Sequence, residues 1–503
     1  MPYTNELPAE LPPAAAATTT ADDGVSIWRS PELRSTMAFV CVPVMIFLVA
    51  TFLDVDVPAP IVYGIGAVMA PMMFLRVVRD PEWVMAAFIL YIPMARMYVF
   101  PLGPGMNAMN LLMGAMLLSW WKRAKREDRP MFASMPLTGA IWTWAALSCF
   151  SFITALFARG IDEFIDVRLG LIRIWLDQFI VFFTFLNLIR DGKMARRVAI
   201  YLCLGSMVVT FCGFAEWIQK GDASSIEKSR LLGPMQQPND LSAFLAYTSG
   251  PFVALFVQHA PKLRMWLLGP YLMMIARVLF GTFSRGGYIA YGIEMLMALS
   301  LRGKLFLAAI IAVIALTINA FPEVLPASVM ARLNETHAGE GDGAEGLDKS
   351  SQTRLILWDA ALKMVAESPV FGKGFFVFPF LKAQYTEEDV SESDNHNMYL
   401  YIASNMGIPA LLSLIVVIWR LYLLSARVYR KSREPWTRAI GMGAATMCCG
   451  VAAVNMFGSR MLDITVMGYV WIYAAVISHL WVEVQNQTPL AQDNNDQFSG
   501  IRP

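Results

Sequence analysis

The stretch MGIPALLSLIVVIWRLYLLSA, residues 406–426, decides the fold class, because it is apolar over about the 20 residues that a helix needs to cross a bilayer. The basic stretch RVYRKSREPWTR, residues 427–438, follows it directly. Lys and Arg concentrate in the cytoplasmic loops of membrane proteins. These two stretches therefore predict a transmembrane helix that ends on the cytoplasmic side.

Similar apolar runs, each of roughly 16 to 25 residues, recur from about residue 37 to residue 481. The composition agrees with them, since 56% of the 503 residues are hydrophobic and the mean hydropathy is +0.50. Soluble domains contain only about 45–50% apolar residues even when glycine is included. We predict an all-α fold, a polytopic membrane helical bundle with about 12–14 transmembrane helices, and exclude one large soluble domain.

The distribution of basic residues predicts the topology. With a cytoplasmic N-terminus, every compact basic cluster lies on the inner side, as the preference of cytoplasmic loops for Lys and Arg requires. The clusters are Arg76 with Arg79, residues 122–129, residues 190–197, Lys262 with Arg264, residues 302–304 and residues 427–438. The loops at about 158–170, 219–240, 281–287, 322–397 and 458–463 then lie on the external or periplasmic side. Both termini are predicted to be cytoplasmic.

Five segments follow from this pattern. Residues 1–35 are rich in Pro, Ala and Thr without the basic start and apolar core of a signal peptide, so we predict a disordered cytoplasmic tail. Residues 36–321 form the N-terminal part of the transmembrane bundle, residues 322–397 a large periplasmic loop, and residues 398–482 the C-terminal transmembrane helices. Residues 483–503 form a second disordered cytoplasmic tail.

The long loop is predicted to contain an amphipathic helix. Loops of this length in compact proteins usually have a function. Within SSQTRLILWDAALKMVAESP, residues 350–369, one helical stripe carries Leu355, Trp358, Leu362 and Val365. We expect this stripe to face lipid or the bundle at the membrane boundary.

The positions of the cysteines and the absence of nucleotide-binding motifs exclude several classes of site. All six cysteines lie inside apolar runs and none in the long loop, so we predict no disulfide and no cysteine metal site. The acidic run TEEDVSESD, residues 386–394, lacks an ordered ligand spacing and fits a solvated surface better than a cation site. The sequence has no Walker loop and no dinucleotide glycine pattern. We expect no metal, no cofactor and no nucleic acid partner.

Polar residues gather where the topology places the external membrane boundary. They are Arg230 and Asn239 in RLLGPMQQPNDLSAFL, Ser284 and Arg285 in TFSRGGYIA, Arg354 in SSQTRLILW, Lys373 in FGKGF, His396 and Asn397 in DNHNMYL, and Arg460 with Asp463 in FGSRMLD. Burial of an arginine side chain at the depth of the membrane costs free energy, so such an arginine usually binds an anion or lines a polar cavity. Its planar guanidinium group binds two phosphate oxygens at once and stays charged. This cluster therefore predicts a site for a phosphate-bearing lipid head group.

Structural roles compete with this interpretation for two of these residues. Arg285 could extend its charged end to the interface from a helix start. His396 could cap a helix, because Asn and His are ordinary residues before an apolar run. The residues alone leave both alternatives open.

Four motifs in order carry a resemblance to a known family. They are SRGG at 284–287, Arg354 three residues before Leu357-Trp358, SPVFGKGFF at 368–376, and HNMYL with NMGIPALL at 396–412. Together with GPMQQPND at 233–240, they resemble the O-antigen ligase and O-antigen polymerase superfamily of bacterial membrane glycosyltransferases. The resemblance is densest over residues 230–412 and weak elsewhere.

The resemblance implies an enzyme of the bacterial inner membrane whose active site faces the periplasm. Such an enzyme transfers a glycan from undecaprenyl diphosphate to an acceptor hydroxyl, with inversion and without a metal or nucleotide. Carried over by motif, His396 would be the general base, and Arg285 and Arg354 would bind the diphosphate and stabilise its developing charge. Arg230, Asn239, Ser284, Lys373, Asn397 and Arg460 would bind the substrates.

Alternatives remain within and outside this class. A polymerase of surface polysaccharide, exopolysaccharide or O-antigen is favoured, because nothing in the sequence looks specialised for a lipid A-core acceptor, which a ligase would use. A peptidoglycan-type polymerase would favour an essential carboxylate, for which Asp394 is the candidate. A flippase would favour charges deep within helices and two related halves, and no internal repeat is visible. Expected partners are the lipid-linked glycan, an acceptor glycan or lipid A-core, the bilayer and other polysaccharide-assembly membrane proteins.

Overall fold

The computed structural model describes residues 27–53, 80–97, 99, 101–103, 106–161, 169–220, 226–259, 262–320, 349–387 and 390–487. These residues form a helical bundle, which confirms the all-α polytopic fold. A two-stranded antiparallel ladder, β1 at Pro101–Gly103 and β2 at Met106–Asn107, is a small addition to it.

Eighteen α-helices follow one another in the described residues. The first nine are α1 Pro31–Thr36, α2 Val42–Phe52, α3 Glu82–Tyr91, α4 Ala108–Arg126, α5 Thr138–Arg159, α6 Leu169–Leu188, α7 Gly192–Lys220, α8 Ile226–Ser229 and α9 Pro238–His259. The others are α10 Gly269–Gly281, α11 Arg285–Arg302, α12 Lys304–Ala320, α13 Lys349–Glu367, α14 Phe378–Leu381, α15 Met398–Met406, α16 Ile408–Lys431, α17 Pro435–Val454 and α18 Ile464–Gln487. A π-helical stretch, Met37–Cys41, joins α1 to α2.

Eight helices in the described part of the chain are long and apolar enough to cross a membrane. They are Pro31–Ala50, Thr138–Phe157, Gly170–Leu188, Gly192–Lys220, Pro238–His259, Ile408–Lys431, Pro435–Val454 and Ile464–Gln487. Three shorter apolar helices, Glu82–Met94, Trp266–Gly281 and Lys304–Thr317, accompany them. Residues 54–79 lie outside the described residues, so the count of about 12–14 stays a prediction.

Two predicted segment boundaries differ from the structure. The first helix begins at Pro31, inside the predicted tail, because Ser30 accepts a hydrogen bond from the Leu33 amide and proline is well suited to a first helical position. The last helix continues to Gln487. Residues 1–26 and 488–503, where both tails were predicted, lie outside the described residues, as does 321–348 in the long loop.

The amphipathic helix exists as α13, and Leu355 and Leu362 of its predicted apolar stripe lie on the side away from the bundle. Leu355 and Leu362 are 42% and 54% exposed, whereas Leu357, Ala361 and Met364 are fully buried. The buried side includes alanines, whose small side chains add little to an apolar pattern but allow α13 to pack closely on α15. The exposed leucines leave a second apolar side that suits a membrane boundary.

Small residues hold the centre of the bundle together. At the crossing of α9 and α17, a Cβ added to Gly250 would lie 2.6 Å from the carbonyl oxygen of Gly443. Such close backbone approach is typical of helix pairs in membranes, where packing and hydrogen bonds replace the hydrophobic effect. A side chain at either position would force α9 and α17 apart.

Candidate functional site

Four charged side chains from distant parts of the chain meet at one end of the bundle. Asp240, near the start of α9, is 2% exposed and binds two guanidinium groups, with each of its carboxylate oxygens 2.5 Å from a nitrogen of Arg96 or Arg460. Arg96 also pairs with Asp463, which immediately precedes α18. We call Arg96, Asp240, Arg460 and Asp463 the charged cluster. It ties the chain before β1 to the starts of α9 and α18.

Three of the four side chains in the charged cluster are largely buried, whereas that of Arg96 is 35% exposed. Burial raises the pKa of Asp463 above its ordinary value, the Arg96 charge opposes this rise, and the neighbouring Asp240 charge adds to it. Charge pairs interact more strongly where water is scarce. Arg96 and Arg460 are therefore held firmly, and their carboxylate partners balance their charges.

The loop before α15 holds His396 close to this cluster. His396 has a positive φ of 54°, which is uncommon outside glycine, and its Nδ1 atom lies 3.7 Å from Oδ2 of Asp394. Asp394 in turn accepts a hydrogen bond of 2.6 Å from the Ser459 hydroxyl, next to Arg460. The indole of Trp358 on α13 donates to the carbonyl oxygen of Asn395. Contacts from α13 and from the 455–463 segment thus fix this loop.

Asn397, and not His396, caps the helix. Its side-chain oxygen accepts hydrogen bonds from the backbone amides of Tyr399 and Leu400, and the residue is 8% exposed. This is the usual N-cap arrangement. His396 precedes the cap with a third of its side chain exposed, so the capping role considered for it belongs to its neighbour.

The surroundings of His396 favour a neutral imidazole. Burial lowers the pKa of His396, the Asp394 charge opposes this shift, and the charges of Arg354 and Arg460 lower the pKa further. Both guanidinium groups therefore act electrostatically on the imidazole. A half-buried histidine that is neutral at physiological pH can accept a proton. The structure brings together His396, Arg354 and Arg460 of the residues predicted for the site.

Arg230 and Asn239 form a second pair at the same end. Arg230 donates to the side-chain oxygen of Asn239 at 3.2 Å and to the carbonyl oxygen of Thr282 at 3.1 Å. Asn239 immediately precedes Asp240 of the charged cluster. Arg230 therefore links the start of α9 to the end of α10.

Ser284 and Arg285 lie beside this pair, at the start of α11. The Ser284 hydroxyl accepts a hydrogen bond from the Gly287 amide as the N-cap of α11, so this contact stabilises the helix start. A Cβ added to Gly286 would lie 3.2 Å from the Phe457 side chain, so this helix start packs closely against the segment that carries Arg460. Arg285, partly buried as the first residue of α11, occupies the same end of the bundle.

Lys373 makes its polar side-chain contacts within the 349–387 segment. Its ammonium group is 2.5 Å from Glu367 and 5.9 Å from the centre of the Tyr385 ring. These contacts do not bring it to His396 or to the charged cluster. The flanking glycines of the same motif have a clearer structural role.

Two motifs singled out in the sequence pack against each other. The amides of Lys373 and Gly374 donate to the carbonyl oxygens of Ser404 and Asn405, and the Ile408 amide donates to Pro369. The break between α15 and α16 has Gly407 at φ 88°, where an added Cβ would lie 2.1 Å from the Val370 carbonyl oxygen. This clasp between residues 368–376 and 404–408 fixes α15, whose first turn follows His396.

Sequence reasoning missed Arg96 and Asp240. Arg96 follows an apolar run in IPMARMYVF, where a single arginine at a helix end resembles an ordinary interfacial anchor. Asp240 directly follows Asn239, which the sequence singled out for its neighbours. The only available signal was that each is a lone charge at the predicted external boundary.

In the described ranges, no group of three or more His, Cys, Asp or Glu side chains is arranged to hold a metal ion. The six cysteine thiols are free.

Residues 270–415 match the family model Wzy_C, described as O-antigen ligase. The match confirms the resemblance to the O-antigen ligase and polymerase superfamily, and it covers fewer than a third of the 503 residues. It includes α10 to α15, with Arg285, Arg354 and His396, whereas Arg96, Arg230, Asp240 and Arg460 lie outside it. No curated protein matches the chain. The match supports a membrane glycosyltransferase of the ligase or polymerase type.

Proposed function

We propose that this protein transfers a glycan from undecaprenyl diphosphate to an acceptor hydroxyl on the periplasmic face of the bacterial inner membrane, and that the acceptor is another lipid-linked repeat unit rather than lipid A-core. The observation that carries the proposal is the half-buried imidazole of His396 beside Asp394; the pKa of this imidazole is lowered first by burial and then by the charges of Arg354 and Arg460. A base and fixed positive charges are the two elements that glycosyl transfer from a diphosphate needs. The family match over residues 270–415 supports the reaction class.

His396 acts as the general base in this proposal. Its Nδ1 atom faces Asp394, so the Nε2 atom accepts the proton of the acceptor hydroxyl. The separation of 3.7 Å exceeds a hydrogen bond, and such contacts commonly shorten when substrate binds. Asp394 is a positioning residue that stabilises the imidazolium formed during transfer. Its hydrogen bond from Ser459 holds it in place.

The bonds that form and break during transfer balance without a metal or a nucleotide. The acceptor oxygen attacks the anomeric carbon of the donor sugar as its proton passes to His396. The bond between that carbon and the phosphate oxygen breaks, and its electron pair stays on the undecaprenyl diphosphate that leaves. Attack opposite the leaving group inverts the configuration at the anomeric carbon.

Arginines stabilise the leaving diphosphate. Arg354 and Arg285 would bind its oxygens, since a guanidinium fork matches phosphate geometry and stays charged. Arg460 is held by Asp240, which fixes the position of its guanidinium group beside the site. Arg230 and Asn239, bonded to each other, would contact the donor sugar or its phosphate. Preorganised charges of this kind lower the barrier without reorganising during the reaction.

Acceptor competition tests the polymerase assignment. The purified protein, reconstituted with a native lipid-linked repeat unit, is expected to release undecaprenyl diphosphate and to extend the glycan without further additions. Transfer that begins only when lipid A-core is supplied would identify a ligase instead. Movement of the intact lipid-linked glycan across the bilayer without bond cleavage would identify a flippase.

A further inference from the structure

A cavity with several charged side chains in its wall lies at the opposite end of the bundle from His396. Its volume is about 270 Å³, and its polar lining comprises Arg123, Glu127, Arg129, Asn187, Arg190 and His479. His479 follows Asp463 by sixteen residues on α18, which places it about 24 Å further along the helix. The cavity is therefore separate from the proposed active site.

Arg123 gives this cavity a rigid wall. It donates to the carbonyl oxygens of Asn187 and Leu188 at 3.0 and 2.9 Å, at the C-terminal end of α6, and to Glu127 at 3.0 Å. His479 lies 2.8 Å from the Leu186 carbonyl oxygen at the same helix end. The three helices α4, α6 and α18 therefore meet around the cavity.

Positive charge exceeds negative charge among the charged lining residues. Three arginines face one carboxylate there, that of Glu127. Burial opposes ionisation of Glu127, but the hydrogen bond from Arg123 and the charges of Arg123, Arg129 and Arg190 hold its pKa below the ordinary value. Arg129 pairs with Glu127 at 3.1 Å and is nevertheless 64% exposed, so it can reach a ligand at the cavity mouth.

Exposed apolar side chains adjoin this basic cavity. Phe132 is 44% exposed, and its ring packs edge-on against Trp120 of the cavity wall at 5.2 Å and against Trp142, itself 43% exposed, at 5.1 Å. Aromatic side chains of this kind are enriched at the level of lipid head groups. A basic cavity beside an apolar surface matches a molecule with a charged head and apolar chains.

We propose that this cavity binds the phosphate-bearing head group of an anionic phospholipid, with Arg129 and Arg190 contacting the phosphate and Arg123 fixing the wall. The acyl chains would lie against Phe132 and Trp142. A bound lipid would join α4, α6 and α18 and so stabilise the bundle. This inference is independent of the proposed transferase activity.

Thermal unfolding of the full-length, delipidated protein in a neutral detergent tests the proposal. Phosphatidylglycerol is expected to raise Tm by at least about 2 °C, whereas phosphatidylcholine and inorganic phosphate are expected to leave it unchanged. The double variant Arg129→Gln with Arg190→Gln should lose this rise. The control variant Lys262→Gln with Lys304→Gln removes two charges outside the cavity and should keep it.

Three results would contradict the proposal. Equal stabilisation by phosphatidylcholine would show a general lipid effect, and equal stabilisation by inorganic phosphate would assign the cavity to a soluble anion. A full phosphatidylglycerol response in the cavity variant would place the lipid elsewhere. Native mass spectrometry of bound phosphatidylglycerol gives a second readout, in which the cavity variant should carry at least one lipid fewer than the control.

Discussion

His396 faces Asp394 across 3.7 Å, and Asp394 is held from its other side by the Ser459 hydroxyl. This arrangement joins the loop before α15 to the segment that carries Arg460. The charge of Asp394 raises the pKa of the imidazole, whereas burial and the charges of Arg354 and Arg460 lower it.

The pH dependence of kcat/KM should report these charges. A general base works when deprotonated, so activity should fall as pH falls through the His396 pKa, which lies below its ordinary 6.5. Arg354→Gln removes a charge that lowers this pKa, so the acidic limb should move to higher pH. Asp394→Asn removes a charge that raises it, so the limb should move to lower pH. Lys373→Gln serves as the control. An acidic limb that stays at the wild-type pH in both Arg354→Gln and Asp394→Asn would contradict the assignment of His396 as the general base.

Asp240→Asn should destabilise the protein strongly. The substitution leaves Arg96 with Asp463 alone and removes the carboxylate that pairs with the largely buried Arg460, and breaking a buried pair in this way costs about 3 kcal/mol or more. A lower Tm together with reduced transfer is expected. Glu367→Gln breaks an exposed pair with Lys373 and should leave Tm unchanged. Equal Tm values for the two variants would show that the charged cluster does not support the fold.

Gly407→Ala should disrupt the clasp between residues 368–376 and 404–408. An added Cβ would lie 2.1 Å from a backbone oxygen of Val370, and φ of 88° is unfavourable for alanine. We expect a marked fall in Tm and in transfer. Gly292→Ala is the matched control, because an added Cβ there meets nothing within 4 Å inside α11 and alanine favours the helix. A tolerated Gly407→Ala would show that the clasp is dispensable.

Lys373→Met should retain transfer activity within about twofold of wild type, since its contacts stay with Glu367 and Tyr385 and exposed pairs contribute little. The measurement is initial-rate kinetics with the lipid-linked donor varied. A rise in KM of tenfold or more would restore the substrate-binding role that the sequence predicted for this lysine.

The membrane class and the family resemblance could be predicted because both depend on local sequence. Apolar runs predict spanning helices one at a time, and SRGG, FGKGF and HNMYL each occupy a few adjacent residues. The charged cluster could not be predicted, since Asp240 is 144 residues from Arg96 and 220 from Arg460. Only packing of whole helices brings these side chains together, and a single sequence does not show which lone charges will meet.

The two apolar faces of α13 show a similar limit. The periodic pattern predicted the helix and placed Leu355 and Leu362 on an apolar stripe, but it left open whether that stripe faces lipid or the bundle. In the structure α15 covers the side with Leu357 and Ala361, and Leu355 and Leu362 stay exposed. Hydrophobic periodicity predicts that a helix has an apolar side, and the neighbouring helix decides which side is covered.

His396→Ala gives the most direct test of the central claim. Wild type and variant, purified in the same detergent and matched in Tm, are incubated with the lipid-linked glycan, and released undecaprenyl diphosphate is measured over time. Loss of a general base should lower the rate by about 10²- to 10⁴-fold, and Asn397→Ser, which keeps the helix cap, should retain most activity. Full release of undecaprenyl diphosphate by a folded His396→Ala protein would contradict the proposed mechanism.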